Sequence, residues 1–157
     1  MSKVAILVGT MTGTAELAAQ EVEAALAEGG HEARSVLMDD LTATVFEPST
    51  LYLICTSTYG NGDVPDNAQS FFEDLESKRP DLSGINYGLI ALGDRTYKST
   101  FCFGGLNFDR LLRELGATRI GDVLLHDASE GTMAEDVAVA WARTWIDRGV
   151  PVGGGGA

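Results

Sequence analysis

Three short stretches hold the residues equipped for binding chemistry. Gly9-Thr10-Met11-Thr12-Gly13-Thr14 combines hydroxyls and glycines just ahead of a helical pattern, with no Lys or Arg. A helix N-terminus offers unpaired N–H groups and about half a positive charge, so such a loop can hold a phosphate without a basic side chain. The stretch matches neither GxGxxG nor GxxxxGK(S/T), which disfavours a dinucleotide or triphosphate site. Thr10, Thr12 and Thr14 with their backbone N–H groups suit a terminal phosphomonoester. Standing alone, the loop would read first as an ordinary helix capped at Thr12. The stretches Ser57-Thr58-Tyr59-Gly60-Asn61-Gly62-Asp63 and Gly93-Asp94-Arg95-Thr96-Tyr97 each place a tyrosine just past an apolar run. Tyr59 and Tyr97 can stack a flat ligand between them, each contact worth about 0.5–1.5 kcal/mol beyond area burial. Together the three stretches point to a planar, phosphorylated ligand.

These loops need elements to carry them. Residues 4–8, 51–55 and 87–92 are continuous apolar runs that predict strands buried on both faces. Residues 31–37 alternate imperfectly and predict a strand at a sheet edge, and residues 120–125 predict a fifth strand. Leu17, Ala18, Val22, Ala25 and Leu26 recur at helical spacing, and Gly29-Gly30 closes that helix near Glu28. A second helix, capped by Asp66 or Asn67 and stopped before Pro80, carries Phe71, Phe72 and Leu75. A third, from about Phe103 to Gly116, carries Leu106, Phe108, Leu111, Leu112 and Leu115. The last carries Val137, Ala138, Trp141 and Trp145, with both tryptophans expected to pack on the sheet. Residues 39–50 are a polar connection with Phe46 as its anchor. This alternation predicts an α/β, three-layer αβα sandwich around a five-stranded parallel sheet. Ligands of such sheets bind outside the carboxyl ends of the strands, where the winding reverses. All three loops emerge there, whereas Gly29-Gly30, Pro80-Asp81 and Gly116-Ala117 at the opposite edge are plain caps and turns.

The chain of 157 residues suits one domain, residues 1–149, followed by a flexible Gly-rich tail at 150–157. Its 23 acids against 11 bases give a net charge of −12, which argues against nucleic acid or an anionic membrane as partner. No apolar run approaches the ~18 residues needed to span a membrane. The first strand begins by residue 4, leaving no room for a signal peptide, and Cys55 and Cys102 form no CxxC pair. A reducing, cytoplasmic setting is therefore expected. Cys55 ends an apolar run and reads as a buried core residue. His31 and His126 are too isolated for a metal site.

The three loops, together with Pro65-Asp66-Asn67 and Phe101-Cys102, resemble the FMN loops of flavodoxins. The second and third resemble the FMN domains of diflavin reductases. As a free-standing chain the sequence is similar to short-chain, MioC-like flavodoxins, since nothing between Ile120 and Leu125 leaves room for the long-chain insertion. The resemblance implies the flavodoxin-like strand order 2-1-3-4-5 and an FMN cofactor. It implies that Thr10, Met11, Thr12, Gly13 and Thr14 wrap the phosphate. The usual flavodoxin loop has a further hydroxyl one residue later, where this chain has Ala15. It implies that Ser57, Thr58, Tyr59, Gly60, Asn61 and Gly62 flank one side of the isoalloxazine. Tyr97 would stack on the other face, with Leu92, Gly93 and Asp94 along the ring edge, Phe101 and Cys102 nearby, and Asp127 approaching from the loop after the last strand. In flavodoxins the peptide matching Gly60 turns its carbonyl toward flavin N5, a rotation glycine makes cheaply.

The function implied is electron transfer between a flavodoxin reductase-type donor and a redox acceptor enzyme. An electron carrier is expected in preference to a stand-alone enzyme, and a monomer in preference to an oligomer. Asp63, Asp66, Glu73 and Asp74 could rim the flavin edge and meet a basic reductase. The main rival is an FMN-dependent NAD(P)H:quinone-type reductase; only Arg95 and Lys98 lie near these loops as candidates for an NADPH 2′-phosphate. A phosphoacceptor receiver domain would need an acidic cluster after the first strand, where Gly9-Thr10-Met11 stands.

Overall fold

In the computed structural model the apolar runs are the central strands of a parallel sheet. The structure describes residues 3–9, 14–42, 45–47, 50–56, 66–93, 103–121, 123–127 and 133–149. In chain order these form β1 (Lys3–Gly9), α1 (Thr14–Glu28), β2 (Glu32–Leu37), a 3₁₀ turn (Met38–Asp40), β3 (Leu51–Thr56), α2 (Asp66–Lys78), β4 (Asn86–Gly93), α3 (Phe103–Glu114), β5 (Thr118–Arg119), β6 (Leu124–Asp127) and α4 (Ala134–Gly149). The sheet runs β2-β1-β3-β4-β5, with β6 also paired to β4, and every pairing is parallel.

The strict period of two in the strands divides the core. Val4, Ile6, Val8, Leu53, Cys55, Ile90 and Leu92 pack against Ala15, Ala18, Val22 and Leu26 of α1 and Ala138, Ala142, Trp145 and Ile146 of α4. Ala5, Leu7, Tyr52, Ile54, Tyr87, Leu89 and Ala91 face Phe71 and Leu75 of α2 and Phe108, Leu111 and Leu112 of α3. Both faces of β1, β3 and β4 are thus covered, which is why these strands carry almost no polar residues. Phe46 anchors the polar connection as expected, with its ring 4.8 Å from Tyr52 and 6.1 Å from Phe71. The Tyr52 hydroxyl donates to Val45 O at 2.9 Å and accepts the Glu47 N–H.

The expected fifth strand over 120–125 is corrected: that place in the sheet is filled by two short strands, making six among the described residues. Asn86 and Tyr87 pair with Thr118 and Arg119, whereas Ile90 pairs with Leu124, so Gly88 and Leu89 stand against the four positions 120–123. Trp145 accounts for the break. Its indole lies over Gly88, where an added methyl group would come within 2.7 Å of Cζ2 and nearer still to Nε1. The same Nε1 donates to Ile120 O at 3.1 Å, and Gly121 takes a φ of 72° to turn the chain. The apolar run from 120 concealed this, because a strand interrupted by a bulge has the same composition as a continuous one.

Helix ends follow the glycines. In α1, His31 N–H reaches Leu26 O and Gly30 N–H reaches Ala27 O, with Gly30 at φ 90°; α3 closes in the same way around Gly116. A buried Tyr–Asp–Arg group ties α3 to the sheet: Asp109 accepts the Tyr87 hydroxyl at 2.6 Å and Arg119 at 2.9 Å.

β2 is an outer strand, paired among the described residues with β1 alone. Glu23 of α1 covers this open edge: its Oε1 accepts the Ser35 N–H at 3.2 Å and the Ser35 hydroxyl at 2.7 Å. An uncovered edge is a template for pairing with another chain. Glu23→Ala should therefore self-associate more than the wild type in sedimentation velocity, and an unchanged sedimentation coefficient at rising concentration would rule this role out. Gly88→Ala should cost about 1–3 kcal/mol in chemical denaturation, the usual penalty for overpacking a closed core. Wild-type stability in that variant would show that the Trp145 ring moves aside freely.

Candidate functional site

The carboxyl ends of β1, β3, β4 and β6 finish within two residues of one another in register. Gly9 is in register with Thr56, Thr56 with Ala91, and Gly93 with Asp127. Four of the connections that leave this edge lead to an α-helix start, at Thr14, Asp66, Phe103 and Ala134. Four helix N-termini, each carrying unpaired N–H groups and a partial positive charge, therefore approach a single edge. The winding reverses between β1 and β3, because α1 leads outward to β2 on one side of β1 while β3 begins the series on the other. Gly9 and Thr56 end the two strands that bound this crevice.

Of the site residues expected from the sequence, Thr14 opens α1, Leu92 and Gly93 end β4, and Asp127 ends β6, so the structure brings these four to the same edge. The Leu92 side chain is buried beneath α1 and α4, which leaves its main chain as its contribution there. Thr10, Met11, Thr12, Gly13, Ser57, Thr58, Tyr59, Gly60, Asn61, Gly62, Asp94, Tyr97, Phe101 and Cys102 lie outside the described residues.

Beneath the edge is a layer that sequence reasoning did not single out. Thr56 and Ala68 are fully buried, and an added methyl group at Gly9 would meet Thr56 Oγ1 at 2.5 Å and the Ala68 methyl at 3.2 Å. His126, in register with Leu92, is also buried. The only sequence signal for this layer was that small or polar residues stand at the last positions of apolar strands. Ala15 belongs to it too. Its side chain is wholly buried in the core beside Val8 and Cys55, and its carbonyl accepts the Cys55 Sγ–H at 3.5 Å. The missing hydroxyl at position 15 is thus a core packing choice.

The arrangement fits a mononucleotide. Helix N-termini supply N–H donors for a phosphate, and glycine at the end of β1 lets main chain approach closely where a side chain would not fit. What the fold and edge define is a doubly wound parallel sheet with a ligand crevice at its switch point. The comparisons sharpen this. The flavodoxin family profile matches residues 6–141. Flavodoxin YqcA of Escherichia coli K12 is 39% identical over 92% of this chain and 97% of its own. Protein MioC of the same strain is 32% identical over 94% and 98%. Among solved structures, a cysteine-to-alanine mutant of flavodoxin from Pseudomonas aeruginosa superposes with a TM-score of 0.81 at 34% identity, covering 90% of this chain and 95% of the other. The chain belongs to the flavodoxin family. Its cofactor is FMN and its function is electron transfer.

Burial pushes the Cys55 thiol from 9.0 up to about 12. The folded chain therefore holds this proton where the unfolded chain releases it, and stability attributable to the group is lost as pH rises through that window. Native protein should leave Cys55 unmodified by a thiol reagent at pH 8 and expose it on unfolding in denaturant. Rapid modification of Cys55 in the native state, read by peptide mass spectrometry, would contradict its burial.

Proposed function

We propose that this chain is a one-cofactor electron carrier that binds FMN at the carboxyl edge of its sheet and passes electrons from a flavodoxin reductase-type donor to an acceptor enzyme. The carrying observation is that four strand ends and four helix starts lie at one edge of the sheet in a chain of the flavodoxin family. Thr10, Met11, Thr12, Gly13 and Thr14 hold the phosphate through hydroxyls and the N-terminus of α1. Ser57, Thr58, Tyr59, Gly60, Asn61 and Gly62 lie along one side of the flavin, and Tyr97 stacks on the other. Leu92, Gly93, Asp94, Phe101, Cys102 and Asp127 complete the surround. FMN supplies the reversible one-electron chemistry when bound; the protein supplies position, hydrogen bonds and field. Residues 1–149 form the binding unit, with 150–157 as a tail, and the protein works as a monomer in the cytoplasm.

The surface supports a protein partner at this edge. Among the described residues the large exposed hydrophobics are Leu17, Leu37, Leu125 and Met133. Leu17 is in the first turn of α1, Leu37 ends β2, Leu125 is on β6 beside Ala91, and Met133 precedes α4. Leu17, Leu37 and Met133 lie at the carboxyl end of the sheet and Leu125 two residues before the end of β6, with Leu37 and Leu125 on opposite outer strands. Acids accompany them: Glu16 in the first turn of α1, and Glu135 and Asp136 in that of α4. Among the described residues, Lys3 opening β1, Lys78 closing α2, Arg113 in the last turn of α3 and Arg119 on β5 stand toward the other edge, while Arg95 and Lys98 fall in the third loop. Acids at these helix starts suit a partner with a basic face, drawn in by long-range attraction.

Protein reconstituted with FMN should show quenched flavin fluorescence, and Tyr97→Ala should raise the FMN dissociation constant roughly 2- to 12-fold, the range a lost aromatic stack implies. Failure of the wild type to take up FMN would sink the assignment. Purified holoprotein should not oxidise NADPH unless a reductase is added, and the reductase-dependent rate should fall as salt rises. Turnover of NADPH by the protein alone would favour the reductase reading.

A further inference from the structure

Three positions that flank the expected cofactor loops meet at one point. Gly9 is the last residue of β1 and stands directly before the loop that begins at Thr10. Thr56 is the last residue of β3 and stands directly before the loop that begins at Ser57. Ala68 lies in the first turn of α2, the helix that receives the second loop. Gly9 and Thr56 are register partners, and both Thr56 and Ala68 are fully buried. The space a side chain at Gly9 would use is filled: Thr56 Oγ1 lies 2.5 Å from it, with Thr56 Cβ and Ala68 Cβ each at 3.2 Å. Real Cβ atoms do not stand at the first of these distances. Glycine at position 9 and an oxygen-bearing side chain at position 56 are therefore one packing solution.

The junction fixes three chain ends at once: the exit of the first loop's strand and both stems of the second loop. We propose that Thr56 is a positioning residue for the cofactor, setting the phosphate-side loop against the flavin-side loop by filling, with Ala68, the space beside Gly9. The proposal rests on the placement of FMN by those two loops given above. Thr56 belongs to none of the motifs that mark the binding residues. Its leverage comes from where it stands, since close-packed interiors transmit small shifts to whatever they support.

Titration of apoprotein with FMN, with the flavin midpoint potential measured on each holoprotein, tests this. Thr56→Ala removes Oγ1 and should raise the FMN dissociation constant about tenfold and shift the potential, while Thr56→Ser, which keeps the oxygen, stays within about twofold of wild type. Gly9→Ala should weaken binding as well, and Gly9→Ala/Thr56→Ala should bind more tightly than Gly9→Ala alone, because the 2.5 Å clash with Oγ1 is then gone and only the two 3.2 Å contacts remain. A residue with only a structural role would lower the melting temperature of Thr56→Ala and leave affinity and potential unchanged, which would overturn the proposal. So would a double variant no better than Gly9→Ala. Wild type that binds no FMN overturns the cofactor placement itself, an outcome separate from either of these.

Discussion

Burial of β1, β3 and β4 on both faces is the constraint from which the rest follows. An internal strand with apolar side chains above and below needs helices on both sides, and only crossover connections place them there. Every crossover begins at a carboxyl end and returns to an amino end, so every loop that leads into a helix starts from the same edge. The site is therefore a consequence of core formation. Val4, Ile6 and Val8 face one layer and Ala5 and Leu7 the other, and the pairing of β1 with β3 from Val4–Leu51 onward brings Gly9 beside Thr56.

That constraint also explains what could be read in advance. The apolar runs of β1, β3 and β4 and the helical repeats of α1 to α4 are long and strongly periodic, so their order and the parallel sheet were legible. The edge strand β2 was legible from its weaker alternation. The division of the last strand was not, because it depends on Trp145 meeting Gly88 across the core, a contact between residues 57 positions apart. No local pattern announces such a contact. The loops were legible as Gly-, Thr- and Tyr-rich stretches at one edge. The layer beneath them was not, since Thr56, Ala68 and Ala15 differ from ordinary core residues only in what they touch.

Charge and dipole act on different scales at this edge. The chain carries a net charge of −12, yet the helix starts that face the crevice present partial positive charge. The dipoles act within the first turn of each helix, at hydrogen-bond range, and hold an anion there. The acids act over roughly a Debye length, about 8–10 Å at ordinary salt, and govern what approaches from outside. A small anionic ligand and a large basic partner can thus be favoured at one place without contradiction.

Ala15 shows how the two demands on the edge are reconciled. A hydroxyl at that position would add a donor to the first turn of α1, where a phosphate is expected. The side chain there instead enters the core against Val8 and Cys55, and the carbonyl takes the Cys55 thiol. Burying a hydroxyl without a partner costs about 1–3 kcal/mol on the scale of protein mutations, so a methyl group is the better occupant of a closed apolar site. On the reading proposed above, phosphate holding falls to Thr10, Thr12, Thr14 and the N–H groups at the start of α1. The layer beneath the edge is close-packed, and Gly9 ends its strand there because Thr56 and Ala68 fill the space a side chain would need.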